Sequence, residues 1–215
     1  MVILVRYGEL SLKGQLRRKF EDVLVSNMKR VMRVEGYGGR IEREWGRLYV
    51  FPKEGKEKGK KKEKKEETDV SKEEKKEEKE REEEYREEKL ARRLSFVFGV
   101  VSTSVAVECE AELNTIAERA KEVLGDRVKG RTFAVRARRS GEHVFTSMDV
   151  ARKVGEELRR AGGVVKLKEP EVEVHVEVRG EKAYIFTEIF RGFGGLPVGT
   201  QGRVLAMDGI QPGSP

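Results

Sequence analysis

The sequence predicts an α+β protein made of two consecutive units. Three observations support this. Apolar residues alternate along the chain between a helical repeat of three to four and a strand repeat of two. The segments run strand, helix, strand, strand, helix, strand, and then helix, strand, helix, strand, strand. A charged run from Lys53 to Lys89 interrupts the first unit without offering an apolar stripe before Leu90.

Val2 to Arg6 is a short apolar run, as expected of a buried strand. Gly8 and Gly14 bracket a loop. Leu16, Phe20, Val23, Leu24, Asn27 and Val31 then recur at helical spacing, with Arg17, Arg18, Lys29, Arg30 and Arg33 on or beside the opposite face. Gly36, Gly38 and Gly39 end that helix. Arg40 to Phe51 reads as a hairpin turning at Trp45-Gly46. In the charged run, Gly55 to Glu67 contains no apolar residue and is expected to be a disordered loop. Ser71 to Arg93 is rich in helix formers and Glu–Lys pairs, and Leu94 to Gly99 completes the helix. Val100 to Val107 supplies the next strand. This order matches the ferredoxin-like βαββαβ pattern.

The second unit opens near Glu110. Leu113, Ile116, Ala117, Ala120 and Leu124 form one helix face. Thr132 to Arg138 is a strand with Phe133, Val135 and Ala137 on one side and Arg136 and Arg138 on the other. Thr146, with Asp149 three residues on, suggests a capping box for a helix whose inner face is Ala151, Val154, Leu158 and Ala161. Val172, Val174, Val176 and Val178 alternate with Glu171, Glu173, His175 and Glu177, as in a strand with one wet face. Ala183 to Phe190 is apolar on both faces and reads as a central strand. Arg191 to Gly202 is glycine-rich and reads as a linker or backbone-exposing loop, and Val204 to Met207 as the start of a further strand.

Charged residues make up 40% of the 215-residue chain, against about 25% for an average domain. The run from Lys53 to Lys89 holds 15 basic and 16 acidic residues, leaving 31 basic against 23 acidic elsewhere. The positive excess therefore belongs to the folded parts, which points to a polyanionic partner such as nucleic acid or an anionic surface. Cys109 is the only cysteine, so no disulfide forms within the chain, in keeping with a reducing, cytoplasmic setting. No apolar run is long enough to span a membrane, and no signal-like segment opens the sequence. The scarcity of Gln and Asn beside abundant Lys, Glu and Arg is typical of heat-adapted, thermophile proteins.

No metal constellation is visible: His143 and His175 stand apart, and Cys109 has no partner at ligand spacing. His175 reads as a surface residue. Nucleophile-elbow, Walker and dinucleotide motifs are absent. Gly192-Phe-Gly-Gly195 offers backbone N–H groups to a phosphate or is simply a flexible linker. The stronger pattern is basic. Arg136, Arg138 and Arg139 cluster on one strand, Phe145 precedes the next helix, and Arg152 and Lys153 follow on it. Guanidinium forks fit phosphates, and an aromatic nearby stacks an unpaired base. The other reading is a solvated arginine face paired with Glu173 and Glu177.

Val5-Arg-Tyr-Gly-Glu-Leu-Ser-Leu-Lys-Gly14, Phe96 to Val101, Phe133 to Arg139 and the GGLPVGTQG segment ending at Gly202 occur in one order. In this they resemble the tRNA 4-thiouridine synthases (tRNA sulfurtransferases). The resemblance implies an N-terminal ferredoxin-like domain over 1–107, carrying the charged insertion 53–89, then a THUMP domain over 108–190 and a glycine-rich linker and tail over 191–215. It implies tRNA as partner, held jointly by both domains and including the acceptor end. Lys13, Arg17, Arg18, Arg191 and Arg203 then join Arg136, Arg138, Arg139, Phe145, Arg152 and Lys153 as candidate RNA contacts. In that family ATP and magnesium serve a following pyrophosphatase-type domain with an S-G-G-x-D-S loop. Asp208 to Pro215 departs from that loop. The expectation is therefore a module that positions tRNA for uridine 4-thiolation by a separate catalytic or sulfur-carrier protein, with no cofactor or catalysis of its own. The alternatives are a fragment of a full synthase, or a protein adaptor using the charged helix 71–93.

Overall fold

The structure, a computed structural model, describes residues 1–8, 16–54 and 72–202, with backbone alone at 54 and 72–81. Among these residues the elements run β1 (Val2–Tyr7), α1 (Arg17–Val34), β2 (Tyr37–Glu44), β3 (Arg47–Glu54), α2 (Lys72–Ser95) and β4 (Val100–Glu110). There follow α3 (Leu113–Val128), β5 (Thr132–Ser140), α4 (Ser147–Arg160), β6 (Val164–Val165), β7 (Val172–Arg179), β8 (Lys182–Phe186) and β9 (Phe190–Arg191). The expected loop 55–67, the expected strand 204–207, the tail 208–215, and Lys13 and Arg203 lie outside the described residues.

All strands join one mixed sheet in the order β2-β3-β1-β4-β8-β7-β5-β6, with β9 also on β4. The first four, antiparallel throughout, are the ferredoxin-like arrangement, covered on one face by α1 and α2. The second unit places α3 and α4 against β5, β7 and β8 around Phe133, Ile116, Leu158 and the valines of β7. Strand β4 belongs to both. Residues 100–106 pair with β1, Val107 to Glu110 pair with β8, and β9 returns to Ser102 and Thr103. The expected boundary at 107 and 108 thus falls inside one continuous strand.

The sheet curls so that its two halves face each other away from the helices. Tyr49 of β3 stacks on Tyr184 of β8, with ring centroids 4.9 Å apart, amid Val2, Leu4, Ala106 and Phe186. Such a pair adds about 0.5–1.5 kcal/mol beyond area burial. This closure overturns the expectation that the whole polar face of β7 is wet. Glu171 and Glu173 are exposed, but Glu177 is buried beneath β1 and β3.

Other expectations shift in register. In α1 the buried stripe is Leu24, Val25, Met28 and Met32, while Leu16 is exposed. The stripe rotates because Glu21 is drawn inward, accepting hydrogen bonds from the Tyr7 hydroxyl at 2.5 Å and from Arg17 Nε at 2.6 Å. Burial, and then Glu21, push the Tyr7 phenol up to about 12. The charged run is not wholly outside the fold. Lys53 lies in β3, Glu87 meets the N-terminal ammonium and Glu84 pairs with Arg127, while just past the run Leu90, Ala91 and Leu94 enter the core. The apolar segment 183–190 is not one strand, since Thr187 to Ile189 leave the sheet between β8 and β9. The capping box of α4 is present, with Thr146 and Asp149 exchanging side-chain and backbone bonds.

Residues 190–202 form a strap, not a free linker. Gly192 N–H and Gly194 N–H donate to the carbonyls of Val101 and Val100, and Asn27 Nδ2 donates to Val198 O at 3.0 Å. A Cβ at position 192 would overlap the carbonyl oxygens of Ser95 and Val100, so only glycine fits there. The Gly192 and Gly194 N–H groups are thus spent on the fold rather than offered to a phosphate.

Candidate nucleic-acid interface

Among the described residues, the outer edge of β5 beyond Phe133 carries no paired strand, because β6 pairs only Thr132 and Phe133. Below that open edge and the start of α4 lies a cleft of about 500 Å³ lined by Arg136, Arg138, Glu173, His175, Ser147 and Met148, among others. Strand register builds it. Arg136 sits opposite His175 on β7, and His175 sits opposite Phe186 on β8.

The charges here are unequally committed. Arg136 Nε approaches Glu173 Oε1 at 3.3 Å, and Nη2 donates to Leu167 O at 2.7 Å. Arg138 has neither a hydrogen bond nor an ion pair among the described residues, yet lies close enough to Arg6 and His175 to act on both electrostatically. Arg139 donates to Gly141 O at 2.8 Å. Arg152 is exposed, 3.8 Å from Asp149. His175 stacks on Phe186 at 5.2 Å, and the Arg6 guanidinium lies over the same ring at 4.8 Å. Burial holds the His175 imidazole below its ordinary range. Glu173 opposes this, and Arg6, Arg138 and Arg136 add to it.

Beside this lies a second basic group. Glu177 is gripped by Arg6 Nη2 at 3.1 Å, Arg47 Nε at 2.8 Å and Arg179 Nε at 2.8 Å. Burial raises the Glu177 carboxyl, but Arg47, Arg6 and Arg179 outweigh it and hold it below the ordinary range. Arg179 also donates to Trp45 O at 3.1 Å, and Trp45 carries the Arg17 guanidinium 3.8 Å over its ring. One line of contacts therefore runs from Arg17 through Trp45, Arg179, Glu177, Arg6, Phe186 and His175 to Arg136, across both units.

The structure brings Arg17, Arg136 and Arg138 onto or beside this line, while Arg139 turns to Gly141 and His143. Arg18 and Arg191 are exposed, but no contact ties them to it. Two expectations are corrected. Phe145 is buried in the core between α4 and the sheet, so its ring is not offered to a base. Lys153 turns to the opposite side of α4, into a groove lined by Glu118, Lys121, Glu122 and Glu157. The sequence reading also missed Arg6, Arg47, Arg179 and Trp45, which meet only through sheet curvature. His175 left one signal, as a lone imidazole among three glutamates on alternate positions. Cys109 packs against the second core, and burial pushes its thiol up to about 11, leaving little thiolate at neutral pH. Among the described residues no group of three or more His, Cys, Asp or Glu is placed to hold a metal, and no helix is long and apolar enough to cross a membrane.

The fold and this face define a ferredoxin-like domain fused through a shared sheet to a second α/β domain. Family comparison makes it particular. Residues 2–64 match the ThiI ferredoxin-like domain and residues 110–188 the THUMP domain, so the chain belongs to the ferredoxin-like and THUMP region of the tRNA sulfurtransferase family. It is 37% identical over 207 residues to a tRNA sulfurtransferase of Pyrobaculum aerophilum, covering 96% of this chain and 36% of that one. It is 38% identical to a probable tRNA sulfurtransferase of Aeropyrum pernix, covering 96% and 46%. The chain therefore spans less than half the length of these curated relatives, which come from thermophiles. Among solved structures, a Pyrococcus horikoshii protein aligns with a TM-score of 0.67 at 30% identity, over 92% of this chain and 57% of that one. A 4-thiouridine synthetase solved with RNA and ATP shares the fold, with a TM-score of 0.62 at 24% identity over 92% and 43%.

Proposed function

We propose that this chain binds tRNA on the open β5 edge and the cleft beneath it, presenting the tRNA for uridine 4-thiolation. The observation that carries the reading is the position of Arg138. Among the described residues its guanidinium has no hydrogen-bond or ion-pair partner, it lies at the lip of a cleft, and it is flanked by Arg136, His175 and Arg6, in a chain with the ferredoxin-like and THUMP pair. A guanidinium without a protein partner keeps its fork free for phosphate oxygens. The relatives' printed activity and the RNA in the 4-thiouridine synthetase complex support tRNA as that partner. ATP, magnesium and the sulfur-transfer step are assigned, in this reading, to the part of the relatives' length that this chain does not span. The role of residues 1–202 is the same for a catalytic part on a separate protein or on a continuation of the same polypeptide: holding the substrate in place. Titrating the chain with a tRNA transcript over a salt series tests it. Affinity should fall steeply and linearly on a log–log plot as phosphate contacts release counterions. Salt-independent binding, or none, would sink the proposal.

A further inference from the structure

The charged side chains lining the cleft are Arg136, Arg138 and Glu173, and beside them stands one imidazole, His175. Its surroundings come from each element packed around it. Glu173 on its own strand lies 3.6 Å from Nε2. Arg136 and Arg138 face it from β5, Arg6 from β1 and the uncharged Phe186 ring from β8. Glu177, next on the same face, is already held by three arginines. The α4 residues lining the cleft, Ser147, Met148 and Ala151, do not titrate, and Asp149 is held by Thr146 and Arg152.

We propose that His175 is a proton-linked contact for a phosphate group bound in this cleft, a role that rests on the reading of the chain as an RNA-binding module. Burial, with three guanidiniums against one carboxylate around the ring, holds the imidazole below its ordinary range. A phosphate between Arg136 and Arg138 reverses that local sign. The imidazole then takes one proton from solvent, becomes a donor on both nitrogens, and offers a charge-assisted hydrogen bond to a phosphate oxygen. The signs follow from linkage. The bound state holds His175 at a higher pKa than the free state. The added affinity is therefore full at pH below the free value and disappears as pH rises through the bound one.

The chain has only two histidines, His143 and His175, which makes the experiment tractable. Anisotropy of a labelled tRNA transcript is measured at constant ionic strength from pH 8 to pH 6 for the wild-type chain, His175→Gln and His143→Gln. Wild type and His143→Gln should tighten by about three- to tenfold toward pH 6, the span expected if the site's pKa moves by up to about one unit on binding. Whatever its affinity at pH 8, His175→Gln should change less than about twofold over the same range, because the pH-dependent increment is gone. In parallel, the His175 Hε1 resonance of the wild-type chain is titrated with and without sodium tripolyphosphate, and its midpoint should move to higher pH with the anion. A tightening that survives in His175→Gln, or a midpoint indifferent to tripolyphosphate, overturns the proposal while leaving RNA binding intact. A midpoint that moves while no tRNA binds at any pH supports the anion contact and removes the tRNA reading.

Discussion

Two arginine groups lie side by side on this protein and do opposite work. Arg6, Arg47 and Arg179 surround Glu177 where the two domains close, each with less than a fifth of its side chain exposed. Arg136, Arg138 and Arg139 line an open strand edge, and among the described residues Arg138 has no hydrogen-bond or ion-pair partner there. Residue type does not separate them. What separates them is a buried carboxylate: where one is present, guanidiniums are consumed by the fold, and where it is not, they remain available to a ligand. Charge counting from sequence sums both groups and so overstates the binding surface.

The largest break in this comparison comes from Glu177→Ala. Removing one member of a buried ion cluster strands the others, at a cost of about 3–5 kcal/mol. Urea unfolding at pH 7 should show that loss. The same carboxylate gives the pH dependence its sign. Its folded pKa is depressed, so its contribution is present above the ordinary carboxylate range and is lost as pH falls through the folded value. Acid unfolding of the wild-type chain should thus begin below about pH 4, while Glu177→Ala should lack that component.

Arg136→Ala combined with Arg138→Ala should do the converse. tRNA affinity should drop by about 1–3 kcal/mol, with stability changed by no more than about 0.5 kcal/mol, as for surface substitutions. Equal affinity for the double variant and the wild type would empty the cleft of its assigned role.

Smaller again is the effect of replacing residues 55–81 with a short Gly/Ser linker. Loop-closure entropy changes by only about 0.6 kcal/mol per doubling of length, so the melting temperature should barely move. Extending the deletion through Glu88 removes the contacts of Glu84 and Glu87 and should lower it visibly. Lys153→Ala, on the far side of α4, should leave tRNA affinity within about twofold, the ordinary range for a surface change away from a site.

Much of the fold was legible because it is local. The period-two valines of β7, the stripe of α3 and the Thr146–Asp149 cap depend on neighbours a few residues away, and each stands where the sequence reading put it. What failed to show depends on distant contacts. Nothing near Glu177 announces Arg6, 171 positions earlier, and nothing near Phe145 says that its ring turns inward while Arg138 stays out. The rotation of the α1 stripe has the same origin, since Glu21 is buried only because Tyr7 and Arg17 meet it. The glycine-rich segment was misread for a related reason. Low side-chain content looks like freedom in a sequence, but here it permits the close backbone approach of Gly192 to β4.

Strand β4 sets the terms on which these domains can be moved between proteins. A crossover placed at the compositional boundary would sever a strand and leave each product with an exposed, unpaired edge, which invites association with other chains. Residues 2–191 are therefore the smallest cassette to transplant, and grafting the second domain alone requires donating a new edge partner along with it.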